Sequence, residues 1–148
     1  MSKENIKVKA LCLIMNDNKE TLLSVDYDKV KKEFYYRPLG GHVDFNERTV
    51  DTVRREFKEE IGAEVTNLKQ LGVTENMFHC DGIPGHEIVF TYMGEFADKS
   101  FYRTKEFSFP SGDDAHEVKV FWVKIEDCLN GKYVFVPEGL NEKLRQFI

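Results

Sequence analysis

From Thr49 to Ile61, the apolar residues Val50, Val53, Phe57 and Ile61 recur at intervals of three and four. That spacing gathers them on one stripe of an α-helix. Gly62 is a natural stop, because glycine tolerates the left-handed angles that end helices. Thr49 is followed three residues later by Thr52 rather than Glu, so a capping box is absent, and Asn46 or Thr49 is left as the cap. At about 100° per residue, Glu56, Glu59 and Glu60 fall within one sector, about a third of the circumference, beside the apolar stripe. One face of this helix is thus made to pack, and its neighbour presents three carboxylates. Like charges at this spacing repel, and a divalent cation would relieve them; oxygen-only ligands suit Mg²⁺ or Mn²⁺. On spacing alone, three such glutamates are more often a solvated helix face.

Around this helix the chain reads as strands. Ile6–Met15, Thr21–Tyr27 and Glu33–Leu39 are apolar or β-branched runs, with Asn16-Asp17-Asn18 and the charged stretch 28–32 as turns. Gly40-Gly41 is expected to break the chain. Leu68–Thr74, His86–Phe96 and Val118–Ile125 read as further strands. Phe101–Glu117, with Pro110-Ser111-Gly112-Asp113-Asp114, reads as a long loop, and Leu140–Ile148 as a short terminal helix. Strands mixed with two helices indicate an α/β or α+β sandwich. No repeat or linker interrupts the 148 residues, so one domain over 1–148 is expected.

Charge narrows the function classes. Lys and Arg number 21 against 26 Asp and Glu, a net charge of −5, which argues against a grip on duplex nucleic acid. No apolar run approaches the roughly 20 residues of a membrane helix, and Met1-Ser2-Lys3-Glu4-Asn5 lacks a secretory core. Cys12, Cys80 and Cys128 are scattered and odd in number, as reduced thiols would be. A cytoplasmic location is expected, and a homodimer is left open.

Residues Gly41 to Ala63 read GHVDFNERTVDTVRREFKEEIGA. Gly41, Glu47, Arg55, Glu56, Glu59, Glu60 and Gly62 occupy the seven fixed positions of the pattern G-x5-E-x7-R-E-U-x-E-E-x-G-U, where U is a bulky apolar residue. The segment resembles the Nudix box of the MutT-like Nudix hydrolases, although it spans only 23 of the 148 residues. Three positions depart from the usual pattern: Ala63 is smaller than the usual aliphatic, Asn46 stands where glycine is common, and Arg37-Pro38-Leu39-Gly40-Gly41 replaces a Leu-Pro-Gly-Gly order. Asn tolerates left-handed angles, so the turn at 46 is expected to survive.

The resemblance implies an α/β/α sandwich with a mixed sheet and a divalent-metal-dependent hydrolase. Its substrate would be a small nucleotide-like molecule with a diphosphate linkage. It also implies metal ligands at Gly41 (through its carbonyl, with Gly40 the near alternative), Glu56, Glu59 and Glu60, with Glu56 the first choice of base. Glu59 would also belong to the catalytic set. Arg55, four residues before Glu59, is placed to pin that side chain or its neighbours by charge-assisted hydrogen bonds. Glu47 is expected to brace the helix. A later carboxylate often joins this chemistry in relatives; Glu117 is the best candidate, with Glu106, Asp113, Asp114 and Glu87 as rivals.

For substrate binding, Arg37 is a candidate phosphate contact, with Arg103 as a second, and Tyr36 and Phe78 are candidate stacking partners. Phe34, Tyr35, Tyr92, Phe101 and Tyr102 are the other aromatics considered, and in strands aromatics are more often core. His79, Cys80 and His86 lack the repeated spacing of a zinc site. Markers of ADP-ribose, dinucleoside polyphosphate and coenzyme A subfamilies are missing: Phe78 stands at the proline position, and His79 and Cys80 at the tyrosine position. Two other readings use the same residues. One is a non-catalytic nucleotide sensor, which an intact box disfavours; the other is an RNA-end pyrophosphohydrolase, which the acidic balance disfavours.

Overall fold

The computed structural model describes residues 4–112 and 116–147; Asp113 and Asp114 lie outside them. Its centre is a mixed sheet. The strands are β1 (Ile6–Ile14), β2 (Glu20–Asp28), β3 (Glu33–His42), β4 (Val65–Cys80), β5 (Ile83–Phe96), β6 (Glu106–Pro110), β7 (Glu117–Lys124) and β8 (Val134–Phe135). Their order is β4-β5-β1-β3-β2-β7-β6, with β8 added beside β3. β1 runs parallel to β5 and β8 parallel to β3; the other pairs are antiparallel.

Helices cover both faces. Alternation along β1 sends Ala10, Cys12 and Ile14 to a core that includes Val53 and Phe57 of α1 (Thr49–Ile61). Leu13 goes to a second core with Ile125 and Cys128 of α2 (Ile125–Leu129) and Leu140 and Leu144 of α3 (Leu140–Leu144). This is the expected α/β/α sandwich. Both buried cysteines and the half-buried Cys80 are free thiols.

α1 has the expected bounds. Gly62 caps it in the left-handed region at φ 69°, with its N–H donating to the Lys58 carbonyl and that of Ala63 to Phe57. The N-cap is Arg48, which makes no side-chain capping bond, rather than Asn46 or Thr49. Asn46 adopts φ 66° and keeps the turn.

The structure corrects three sequence expectations. Gly40-Gly41 does not break the chain: β3 continues to His42, and Gly40 lies so close to Ala10 and Leu11 of β1 that a Cβ there would overlap the Ala10 carbonyl. The supposed loop 101–117 contains a 3₁₀ turn (Lys99–Arg103) and the edge strand β6. Phe107 and Phe109 of β6 turn inward while Glu106, Ser108 and Pro110 face water, a period-two pattern too short to stand out beside the following Pro and Gly. Finally, the strands expected at 68–74 and 86–96 extend to Val65–Cys80 and Ile83–Phe96 and form one long hairpin closed by Asp81-Gly82 alone.

Candidate active site

Packing of Val53 and Phe57, both fully buried, orients α1 so that its acidic sector faces the end of β3. The Glu56 carboxyl lies directly against Gly41, and a Cβ at that position would overlap it. A side chain at position 41 would displace the Glu56 carboxyl, so glycine matters here through close approach and not through a left-handed φ. Glu56 and Glu60 share a side-chain hydrogen bond. Burial raises both carboxyls above their ordinary range; the neighbouring Glu56 raises Glu60 further, while Arg55 works against the rise at Glu56. Glu60 Oε1 is buried and has no hydrogen-bond partner. An unsatisfied buried oxygen of this kind costs on the order of 1–3 kcal/mol.

Arg55 is the hub of the site. Its Nε donates to Glu47 Oε2 at 2.8 Å and its Nη2 to Glu47 Oε1 at 3.0 Å. Nη1 reaches Glu56 Oε1 at 3.0 Å and Glu59 Oε2 at 3.3 Å, and Nη2 also donates to the His42 carbonyl at 3.0 Å. Glu47 accepts in addition from Thr52 Oγ1 (2.7 Å) and from the Asp44 N–H (3.1 Å). The Arg55 bonds above all, helped by the other two donors, hold the Glu47 carboxyl down at about 2. One bidentate pair thus ties the loop before α1 to the second turn of α1 and to the end of β3. Glu47 takes Nε and Nη2 of Arg55, while Glu56 takes Nη1.

A cavity of about 340 Å³ opens between the β4–β5 hairpin, β1, β3 and residues 134–138, with no residue of α1 in its lining. Arg37 lines it and lies near enough to Glu60 to act on its charge. Phe78 lines it from β4. Tyr36 does not: it packs into the second core with its ring centroid 4.8 Å from that of Tyr133, and Tyr35 faces the cavity instead.

Glu117 is exposed at the start of β7, opposite Pro110, and is not in the cavity wall. Of its rivals, Glu106 pairs with Lys119 at 3.5 Å, while Glu87 is buried in the cavity wall and pairs with Lys9 at 3.0 Å. Tyr92, Phe101 and Tyr102 belong to the α1-side core, and Phe34 packs edge-on against Tyr27. The Lys9–Glu87 pair and the 134–138 wall were not foreseen. The available signal was Lys9 itself, a charged residue at the start of the apolar run of β1.

Among the described residues, no three His, Cys, Asp or Glu side chains already converge as a closed set of metal ligands. Arg55 draws on Glu59, and Glu56 and Glu60 are engaged with each other. The donor chemistry nevertheless fits a hard cation: carboxylate and carbonyl oxygens only, one buried oxygen without a partner, and a backbone approach kept open by Gly41.

An acidic helix braced by a half-buried arginine against the end of the adjoining strand, within an α/β/α sandwich, is the arrangement that the sequence resemblance implies. The sequence profile described as the NUDIX domain matches residues 6–144. The chain belongs to the NUDIX family. Solved structures agree on the fold. A NUDIX hydrolase from Nitrosomonas europaea is 18% identical with TM-score 0.64, over 96% of this chain and 87% of that one. A hydrolase of the NUDIX family from Clostridium perfringens is 20% identical with TM-score 0.61, over 97% and 99%. A MutT NUDIX hydrolase from Burkholderia pseudomallei is 18% identical with TM-score 0.59, over 97% and 95%. No curated protein sequence matches the chain.

Proposed function

We propose that this protein is a divalent-metal-dependent pyrophosphohydrolase that cleaves the diphosphate linkage of a small nucleotide-like substrate. The observation that carries the reading is the pairing of Glu56 and Glu60 against Gly41, with one buried Glu60 oxygen left without a partner. Glu56, Glu60, Glu59 and the Gly41 carbonyl would hold Mg²⁺ or Mn²⁺. Bound there, the ion would neutralise phosphate oxygens and acidify a water.

The chain's own groups supply the rest. Arg55 fixes the Glu56 carboxyl through Nη1 and keeps Glu59 on the same face. Glu56, its carboxyl raised above the ordinary range by burial, is suited to take the proton of the attacking water at its carboxyl oxygen. Arg37, between the cavity and Glu60, would hold phosphate oxygens, and Phe78 would offer a ring face to the base. Glu117 stands outside this arrangement.

The test is Glu60→Gln assayed with Mg²⁺ on nucleoside diphosphate derivatives. Turnover should fall by more than about a hundredfold with the fold intact, as expected for loss of a group that orients charge in the transition state. Turnover within a few-fold of the parent would remove Glu60 from the site.

A further inference from the structure

The cavity wall contains a charged pair that the proposed chemistry does not use. Lys9 Nζ lies 3.0 Å from Glu87 Oε2, and only 14% and 9% of the two side chains remain exposed. Burying two charges costs several kcal/mol each, and an apolar pair of similar volume would serve the fold at least as well. Arg37 links the pair to the acidic site: it lines the same cavity and lies near enough to act on the charges of both Lys9 and Glu60. Both side chains line the same cavity as Phe78, whose ring rests on Gly85, where a Cβ would overlap it. A ring face and a polar edge thus meet in a space within the range of small-ligand sites, about 300–1,000 Å³.

The contact uses one carboxylate oxygen and one of three ammonium protons. The pair therefore puts a carboxylate acceptor and an ammonium donor side by side in one cavity wall. We infer that the Lys9–Glu87 pair reads the base of the substrate, and that the base is a 6-oxopurine of the guanine type, its ring N–H donating to Glu87 and its carbonyl oxygen accepting from Lys9. Guanine adds an amino group beside that N–H, which can also donate to the carboxylate. Adenine reverses the order: in the same pose its amino group faces the ammonium and its bare ring nitrogen faces the carboxylate. Uracil keeps the N–H and one carbonyl, but its second carbonyl falls against Glu87 where guanine has a donor. Edge patterns of this kind discriminate bases about tenfold or more per paired contact. The inference rests on the pyrophosphohydrolase reading for the remainder of the substrate.

The test is calorimetric binding of GMP, AMP and UMP to the full chain, which needs no turnover. GMP should bind at least about tenfold more tightly than AMP or UMP. Glu87→Gln should weaken GMP at least about tenfold and leave AMP within twofold. Because that variant leaves Lys9 buried without its partner, the apolar double variant Lys9→Met with Glu87→Leu serves as the folded control, and it should also lose the preference. Equal binding of GMP and AMP, loss of all three ligands alike in the variants, or no nucleotide binding would overturn the inference. GMP selectivity without metal-dependent hydrolysis would sink the hydrolase reading and spare this one. Hydrolysis without base preference would do the reverse.

Discussion

Replacing Glu47 by Gln keeps the size of the side chain and removes the charge that Arg55 grips with two bonds of 2.8 and 3.0 Å. A carboxylate that ordinarily titrates near 4.5 and is held at about 2 in the folded chain contributes about 3 kcal/mol at neutral pH. The side chain keeps 16% of its surface exposed, and solvent screening reduces the figure to about 2 kcal/mol. Since the folded value is depressed, this stabilisation is complete above the unfolded value of 4.5 and is lost as pH falls towards 2. The variant has no such group to titrate. Denaturant unfolding of parent and Glu47→Gln should therefore differ by about 2 kcal/mol at pH 7 and at pH 5.5, and the gap should close between pH 4.5 and 2. At pH 7 the melting temperature should drop by about 4–8 °C. A gap unchanged at pH 3, or one below about 0.5 kcal/mol at pH 7, would refute the bracing role.

Two further perturbations separate chemistry from scaffold. Gly41→Ala places a Cβ into the Glu56 carboxyl; kcat should fall at least about tenfold while circular dichroism keeps the parent spectrum, and parent-level kcat would show that the close approach is dispensable. Glu117→Gln, at an exposed position away from the cavity, should leave kcat and its pH profile within about twofold, as for ordinary surface substitutions; a large loss would bring that strand end into the reaction.

The legibility of the fold followed the length of each periodic signal. The stripe of α1 runs for 13 residues and is ended by Gly62, so both its bounds and its acidic sector were readable. β6 has only five residues and one inward pair, Phe107 and Phe109, too little for a period to stand out. In sequence, Gly40-Gly41 reads as a chain break because glycine permits turns, but its surroundings here are tertiary: Ala10 crowds the first and Glu56 the second, and neither neighbour is near in sequence. The same holds for Tyr36. Nothing in the run Phe34-Tyr35-Tyr36 itself says which ring faces a ligand; strand alternation assigns Tyr35 to the cavity and Tyr36, the expected stacking partner, to the core. The Lys9–Glu87 pair joins residues 78 positions apart on parallel strands. Only Lys9, a charge at the start of an apolar run, marked it beforehand.

The account's central claim is tested most directly by product release from a panel of nucleoside diphosphate derivatives. The panel comprises nucleotide sugars, ADP-ribose, dinucleoside polyphosphates and oxidised nucleoside triphosphates, each incubated with Mg²⁺, with Mn²⁺ and with a chelator. The predicted result is turnover of one class, abolished by the chelator and restored by either ion. Failure to cleave any of them under both metals, with tight binding of one by thermal shift, would contradict the claim and make the chain a binding protein.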